Sequence, residues 1–195
     1  MLNRGDSTVA AFLFKGHVAD ETVKRISEAE RMATEVGYDE IAAKVSLQLL
    51  DPDQVASARK MSAVYVAIAS FENEVRDLVS SILLEKKGAD WWDTSVSNDV
   101  KKRADNRQKQ EEKIRWHQAR GLGPIYYVEM NDLVLIIQNN WLCFEDLLHD
   151  IDWVRQIFKS LERSRNVIMH SGQLSIDDIE RVGVFIRDWL RQIGG

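Results

Sequence analysis

Residues 151–172 read IDWVRQIFKSLERSRNVIMHSG, and this stretch decides the fold. Val154, Ile157, Phe158, Leu161 and Ile168 recur at helical spacing, so a helix from about Asp150 to Met169 carries one apolar face. Ser171-Gly172 closes it, glycine being favoured just past a helix terminus. At roughly 100° per residue Arg165 falls about 20° from Val154, inside the apolar stripe, whereas Arg163 falls about 180° away and is expected to face water. A permanently charged guanidinium in such a stripe needs a carboxylate, a carbonyl or a phosphate to answer it. His170 falls about 140° from Arg165, so the two do not converge on one phosphate along a regular helix. A broken last turn would bring them together, as would a second copy of the chain across a two-fold axis. The ordinary readings stand beside these. Arg165 then salt-bridges an internal carboxylate, and His170 caps the negative end of the helix dipole.

The rest of the chain repeats the helical pattern. A first helix is expected from near Asp20 to Val36 and a second from about Asp39 to Leu50, ending before Asp51-Pro52. Asp53 is expected to cap a long helix running to Lys87, with Met61, Val64, Tyr65, Ile68, Phe71, Val75, Leu78, Val79 and Ile82 on one side. Trp91-Trp92 and a polar, charged segment reach to Arg120, and Gly121 to Pro124 is a break. Asn131 or Asp132 caps the next helix, whose stripe is Leu133, Ile136, Ile137, Trp141, Phe144 and Leu148. Ser175 with Asp178 resembles a capping box before a last helix that buries Ile179, Val182, Ile186, Trp189, Leu190 and Ile193. No segment of convincing length alternates, so the fold class is all-α, a helical bundle with an N-terminal helical extension. The domain division is residues 1–52 for the extension and 53–195 for the bundle.

Glu72 repeats the anomaly of Arg165. Both Glu72 and Arg76 fall within roughly 20° of Tyr65, in or at the edge of the long helix's stripe. They form an ordinary i,i+4 pair, or Glu72 answers Arg165 across the bundle.

The chain has 195 residues, a net charge of -5 and a single cysteine, Cys143. One cysteine excludes an internal disulfide and a multi-cysteine zinc site, and with no secretory leader pattern it points to the cytoplasm. No apolar run approaches the length of a membrane span. An acidic chain argues against binding nucleic acid by bulk electrostatics. Its distribution is uneven, however. Residues 101–120 hold eight basic side chains against three acidic ones, which leaves -10 for the rest. A basic patch on an acidic body still meets a phosphate backbone, so Lys101, Lys102 and Arg103 are candidate RNA contacts; a solvated helix face explains the same charges.

Arginine grips phosphate with a planar fork of donors, and histidine moves protons near neutral pH. Together Arg165 and His170 are a minimal kit for cutting a phosphodiester, with no cluster of metal-ligand spacing in the sequence and no cofactor motif.

Arg165-Asn166-x-x-x-His170, late in an all-α chain, resembles the RNxxxH motif of the HEPN superfamily. Phe71 to Arg76, Trp91-Trp92, Asp132-Leu133 and Asn140-Trp141-x-x-Phe144 resemble the branch attached to a eukaryotic nuclear RNA quality-control endonuclease, with relatives in bacterial conflict systems. The likeness covers about residues 55–193. It implies a metal-independent endoribonuclease that dimerises and joins two motifs at one cleft. By position, Arg165 and His170 are then catalytic, Asn166 positions the scissile phosphate or His170, Glu72 is the supporting acid, and Arg76 lies at the substrate. The resemblance further implies attack of a ribose 2′-hydroxyl on the adjacent phosphate. It places the chain as a toxin or antiphage effector with an antitoxin or a nucleotidyltransferase as partner. The alternative is a catalytically silent HEPN module that binds, dimerises and regulates a partner.

Overall fold

The computed structural model describes residues 37–194, apart from Arg115, Ala119 and Leu122. The chain divides between Val55 and Ala56. The expected helix from Asp20 to Val36 lies outside the described residues. Ahead of the division stand α1 (Tyr38–Lys44) and a 3₁₀ turn (Leu47–Leu49). The expectation of one helix over 39–50 is corrected here. Ser46 adopts a left-handed φ of 58° and breaks it, and α1 buries none of its residues. A helix this short gains little without an apolar face to bury.

α2 spans Pro52–Lys87. Its cap is Asp51, not Asp53: Asp51 Oδ1 accepts from the backbone N–H groups of Asp53 and Gln54, with Pro52 pre-set for the first turn. Gly88 ends the helix at φ +87°, a conformation glycine adopts without strain. α3 (Trp91–Ser95) and α4 (Asn98–Glu112) follow, then a 3₁₀ turn at Pro124–Tyr127. α4 is a helix where the sequence showed only a charged segment. It buries just Val100 and Ala104, one i,i+4 pair, which is too narrow a stripe to read as periodicity.

α5 covers Met130–Asn139, with Glu129 at its N-cap and Asp132 Oδ2 accepting from the Glu129 N–H at 3.1 Å. The expected single helix to Leu148 is corrected as well. It breaks at Asn140 into a 3₁₀ turn (Trp141–Cys143) and the short α6 (Glu145–Leu148). The Asn140 side chain donates to Ile136 O, which its own N–H also reaches, and to Ser95 O at the end of α3.

α7 (Ile151–Met169) and α8 (Ile176–Gly194) complete an all-α bundle; no strand occurs among the described residues. Asp150 caps α7 through Asp152 N and Trp153 N. Ser175 caps α8 in a reciprocal arrangement with Asp178. Phe71 of α2, Phe158 of α7 and Trp189 of α8 meet edge to face with centroids 5.5–5.6 Å apart, and Trp153 stacks on Trp189 at 5.8 Å. Trp189 is fully buried, so truncating it to alanine costs about 3–5 kcal/mol. This cluster fixes α2 against α7 one residue from Glu72. Among the described residues no helix is long and apolar enough to cross a membrane.

Candidate active site

α7 is regular to Met169, with His170 as its C-cap at φ -98°. The turn that follows is a Schellman closure. Ser171 N donates to Ile168 O at 3.0 Å and Gly172 N to Val167 O at 2.8 Å. The left-handed position belongs to Ser171 (φ +61°), and Gly172 is required for a different reason: a Cβ there would lie 2.7 Å from Val167 Cγ1 and 2.8 Å from Val167 O. The loop is then held to α2, with Gln173 Nε2 donating to Ser57 Oγ at 2.6 Å and Leu174 N to Met61 Sδ at 3.3 Å. A broken last turn is therefore not what separates or joins Arg165 and His170.

Arg165 faces the core. Its Nη1 donates to Glu72 Oε2 at 3.3 Å across the α2–α7 interface, and its Nε is buried without an acceptor. Glu72, only 7% exposed, holds Arg76 through its other oxygen, so both readings of its partner hold at once. Arg76 was expected at the substrate. It is buried instead, and its remaining donors go to Asn73 Oδ1 at 3.0 Å, Ile125 O at 3.3 Å and Val128 O at 3.1 Å. It fastens the segment after the Gly121–Pro124 break to α2. The chain of contacts runs from residues 125–128 through Arg76 and Glu72 to Arg165.

His170 and Asn166 are exposed on the other side of α7. They line a depression of about 450 Å³ together with Lys159, Glu162, Arg163 and Val167. The structure thus brings Glu72, Arg76 and Arg165 together and His170 and Asn166 together, but does not join the two groups within one chain. Lys159 is the residue the sequence reading passed over here, and Arg163 is one it expected to face water and to matter little. Their spacing to Asn166 and His170 (i, i+4, i+7, i+11) is the signal that could have found them.

Much of the basic segment is tied to acids and carbonyls of its own chain, although Lys102, Arg103, Lys109, Lys113 and Arg120 are exposed. Asp132, buried at 3% exposure, accepts from Arg103 Nε at 2.9 Å and Nη2 at 2.6 Å, and from Arg107 Nη1 at 3.0 Å. Burial pushes its carboxyl up, but the hydrogen bonds from Arg103, the Glu129 N–H and Arg107 outweigh this and hold it below the usual range. Arg107 also donates to Tyr127 O at 2.9 Å and pairs with Glu129 at 3.1 Å. Lys101 donates to Asp93 O at 2.9 Å, and Arg120 pairs with Glu111. Lys102 stays exposed. The sequence reading missed the Asp132 brace, although the spacing of Glu129 and Asp132 signals a reciprocal cap. No group of three or more His, Cys, Asp or Glu among the described residues is placed to hold a metal ion.

No curated protein and no solved structure matches the chain. The Swt1-like HEPN family matches it over residues 67–194, from the middle of α2 to the end of α8. HEPN domains are generally ribonucleases, and they commonly bind RNA and dimerise. The matched region holds the α2 acid, the α7 motif and every helix between them, and the chain belongs to the Swt1-like HEPN family.

Proposed function

We propose that the chain is a metal-independent endoribonuclease that works as a homodimer. The observation that carries this reading is the ion pair between buried Glu72 and Arg165, on the helix whose C-cap, His170, is exposed. A structural arginine could be replaced by an apolar residue; one fixed by a buried acid while its side chain stays 27% exposed is a preorganised donor for developing negative charge. Because α7 is regular, Arg165 and His170 meet at one phosphate across a two-fold axis. A ribose 2′-hydroxyl attacks the adjacent phosphorus, one His170 takes its proton, and the partner's His170 protonates the leaving 5′-oxygen. Arg165 stabilises the phosphorane-like charge, and Asn166 orients the phosphate or His170. Lys101 and Lys102 give the strand a second, weaker hold. The setting we infer is that of a toxin or antiphage effector in the cytoplasm, restrained by an antitoxin or partner enzyme.

The second reading, a silent HEPN module that binds and regulates a partner, is favoured by one observation: Arg165 is turned away from His170 within the chain. Incubation with RNA in EDTA, wild type against His170→Ala, separates the two. The nuclease reading expects cleavage by wild type alone, with 2′,3′-cyclic phosphate and 5′-hydroxyl ends. Strict magnesium dependence with 5′-phosphate ends would refute the mechanism, and intact RNA throughout would favour the silent module.

A further inference from the structure

We propose that Lys159 and Arg163 hold the RNA phosphate beside His170, and that the strand continues over Arg163 into a groove between α7 and α8 that takes the neighbouring nucleotide. This deepens the nuclease reading and rests on it for the role of His170.

Arg163 and Val167 form the wall common to two hollows. On one side is the His170 depression, of about 450 Å³. On the other is a groove of about 400 Å³, which Arg163 lines with Ser160, Ser164, Gln173 and Arg181, above Val182 and Phe185. That volume lies within the range of small-ligand sites. Arg165 does not serve this surface in its own chain, because its guanidinium points at Glu72. Lys159 and Arg163 make no hydrogen bond or ion pair among the described residues, so their donors are open to a ligand.

Three carboxylates bear on the choice of cation. Glu162 lines the His170 depression, and its Oε2 accepts from Asn131 Nδ2 at 2.8 Å. Asp178 lines the groove and pairs with Arg181 at 3.4 Å, and the hydrogen bond from Ser175 holds its carboxyl below the usual range, so it stays charged near neutrality. Arg181 is thereby partly neutralised, and the same carboxylate acts more weakly on Arg163, with which it makes no ion pair. Asp152, near the start of the same helix, is paired with Arg155. Lys159 and Arg163 are left as the two cations facing His170. A guanidinium fork meets two phosphate oxygens at once, and an ammonium adds a point charge. The Ser160 and Ser164 hydroxyls suit a ribose or a base edge, and Phe185 with Val182 offers an apolar surface to the flat face of a base. The recognised chemistry is a single-stranded ribonucleotide chain.

The test uses the full chain and two oligonucleotides of one sequence: 2′-O-methyl RNA, which lacks the nucleophile, for binding, and plain RNA for cleavage. Arg163→Ala is expected to raise Kd and KM about tenfold with kcat within about twofold, the pattern of lost uniform binding. Lys159→Ala is expected to raise both about threefold, and each change to flatten the salt dependence of Kd by about one lost phosphate contact. His170→Ala keeps Kd and loses kcat. Arg155→Ala, on the same helix and outside both hollows, changes nothing. Unmoved Kd and salt slope in Arg163→Ala and Lys159→Ala overturn the inference even if wild type cleaves, and a wild type that binds no RNA overturns it together with the nuclease reading. A wild type that binds without cleaving, and binds less well as Arg163→Ala, removes the nuclease reading and sustains the surface.

Discussion

α4 and the outer face of α7 are both rich in cations, and they use them in opposite ways. α4 turns Arg103 and Arg107 onto buried Asp132 and onto the carbonyl of Tyr127, where they brace the start of α5. α7 leaves Lys159 and Arg163 at the surface beside His170. The segment with the greater charge density in sequence has the smaller share of open donors. Charge along the chain measures what is present; the positions of the acids decide what is available to a phosphate.

The largest effect that tests this contrast is catalytic. Arg165→Ala and His170→Ala are each expected to lower kcat by at least about 100-fold, the scale of losing a transition-state donor or a general acid–base group. Mixing wild type with an excess of His170→Ala should lower activity below simple dilution, since a mixed dimer keeps only one of the two His170 side chains that serve as base and acid. Activity that falls only in proportion to dilution would place both groups of a working site in one chain.

The next effect belongs to α4. Asp132→Asn removes the charge that answers two arginines and is expected to cost about 3 kcal/mol, read by denaturant unfolding at pH 7. The sign with pH follows from its lowered carboxyl. Its contribution is fully present above the unfolded value of about 4 and is lost as the pH falls through the lower folded value, so wild type and Asp132→Asn should converge in stability once the pH is below that folded value. An undiminished difference there would mean that packing, not charge, holds the brace.

Glu72→Gln comes third. It keeps the shape, leaves Arg165 and Arg76 without their shared anion, and is expected to cost about 1–3 kcal/mol. Cleavage should drop beyond what that loss of folded protein explains, and a purely structural Glu72 would leave kcat per folded molecule unchanged. The remaining effects lie at the end of α7 and on α4. Ser171→Gly relieves the left-handed φ and should stabilise by about 1 kcal/mol, whereas Gly172→Ala meets Val167 and should destabilise by about 1–3 kcal/mol. Lys101→Ala with Lys102→Ala should weaken RNA binding only about twofold, a fraction of an RNA contact in salt slope. A loss equal to that of Arg163→Ala would erase the contrast between the two helices.

The sequence by itself determined that the chain is all-α. It also located α7 and α8, whose apolar stripes are wide enough to read at helical period, and singled out Glu72 and Arg165 as charges in the wrong place. Two such anomalies on separate helices find each other because an unanswered buried charge is too costly to leave, and their pairing at 3.3 Å follows that logic. Three things only the tertiary structure decided. The breaks at Ser46 and Asn140 depend on what each segment packs against or hydrogen-bonds to, which periodicity does not record. The role of Arg76 depends on the carbonyls of Ile125 and Val128, some fifty residues away. Which cations already have an acid was decided by Asp132, a single buried carboxylate that holds two arginines of a helix that looks, in sequence, like the most basic surface of the protein.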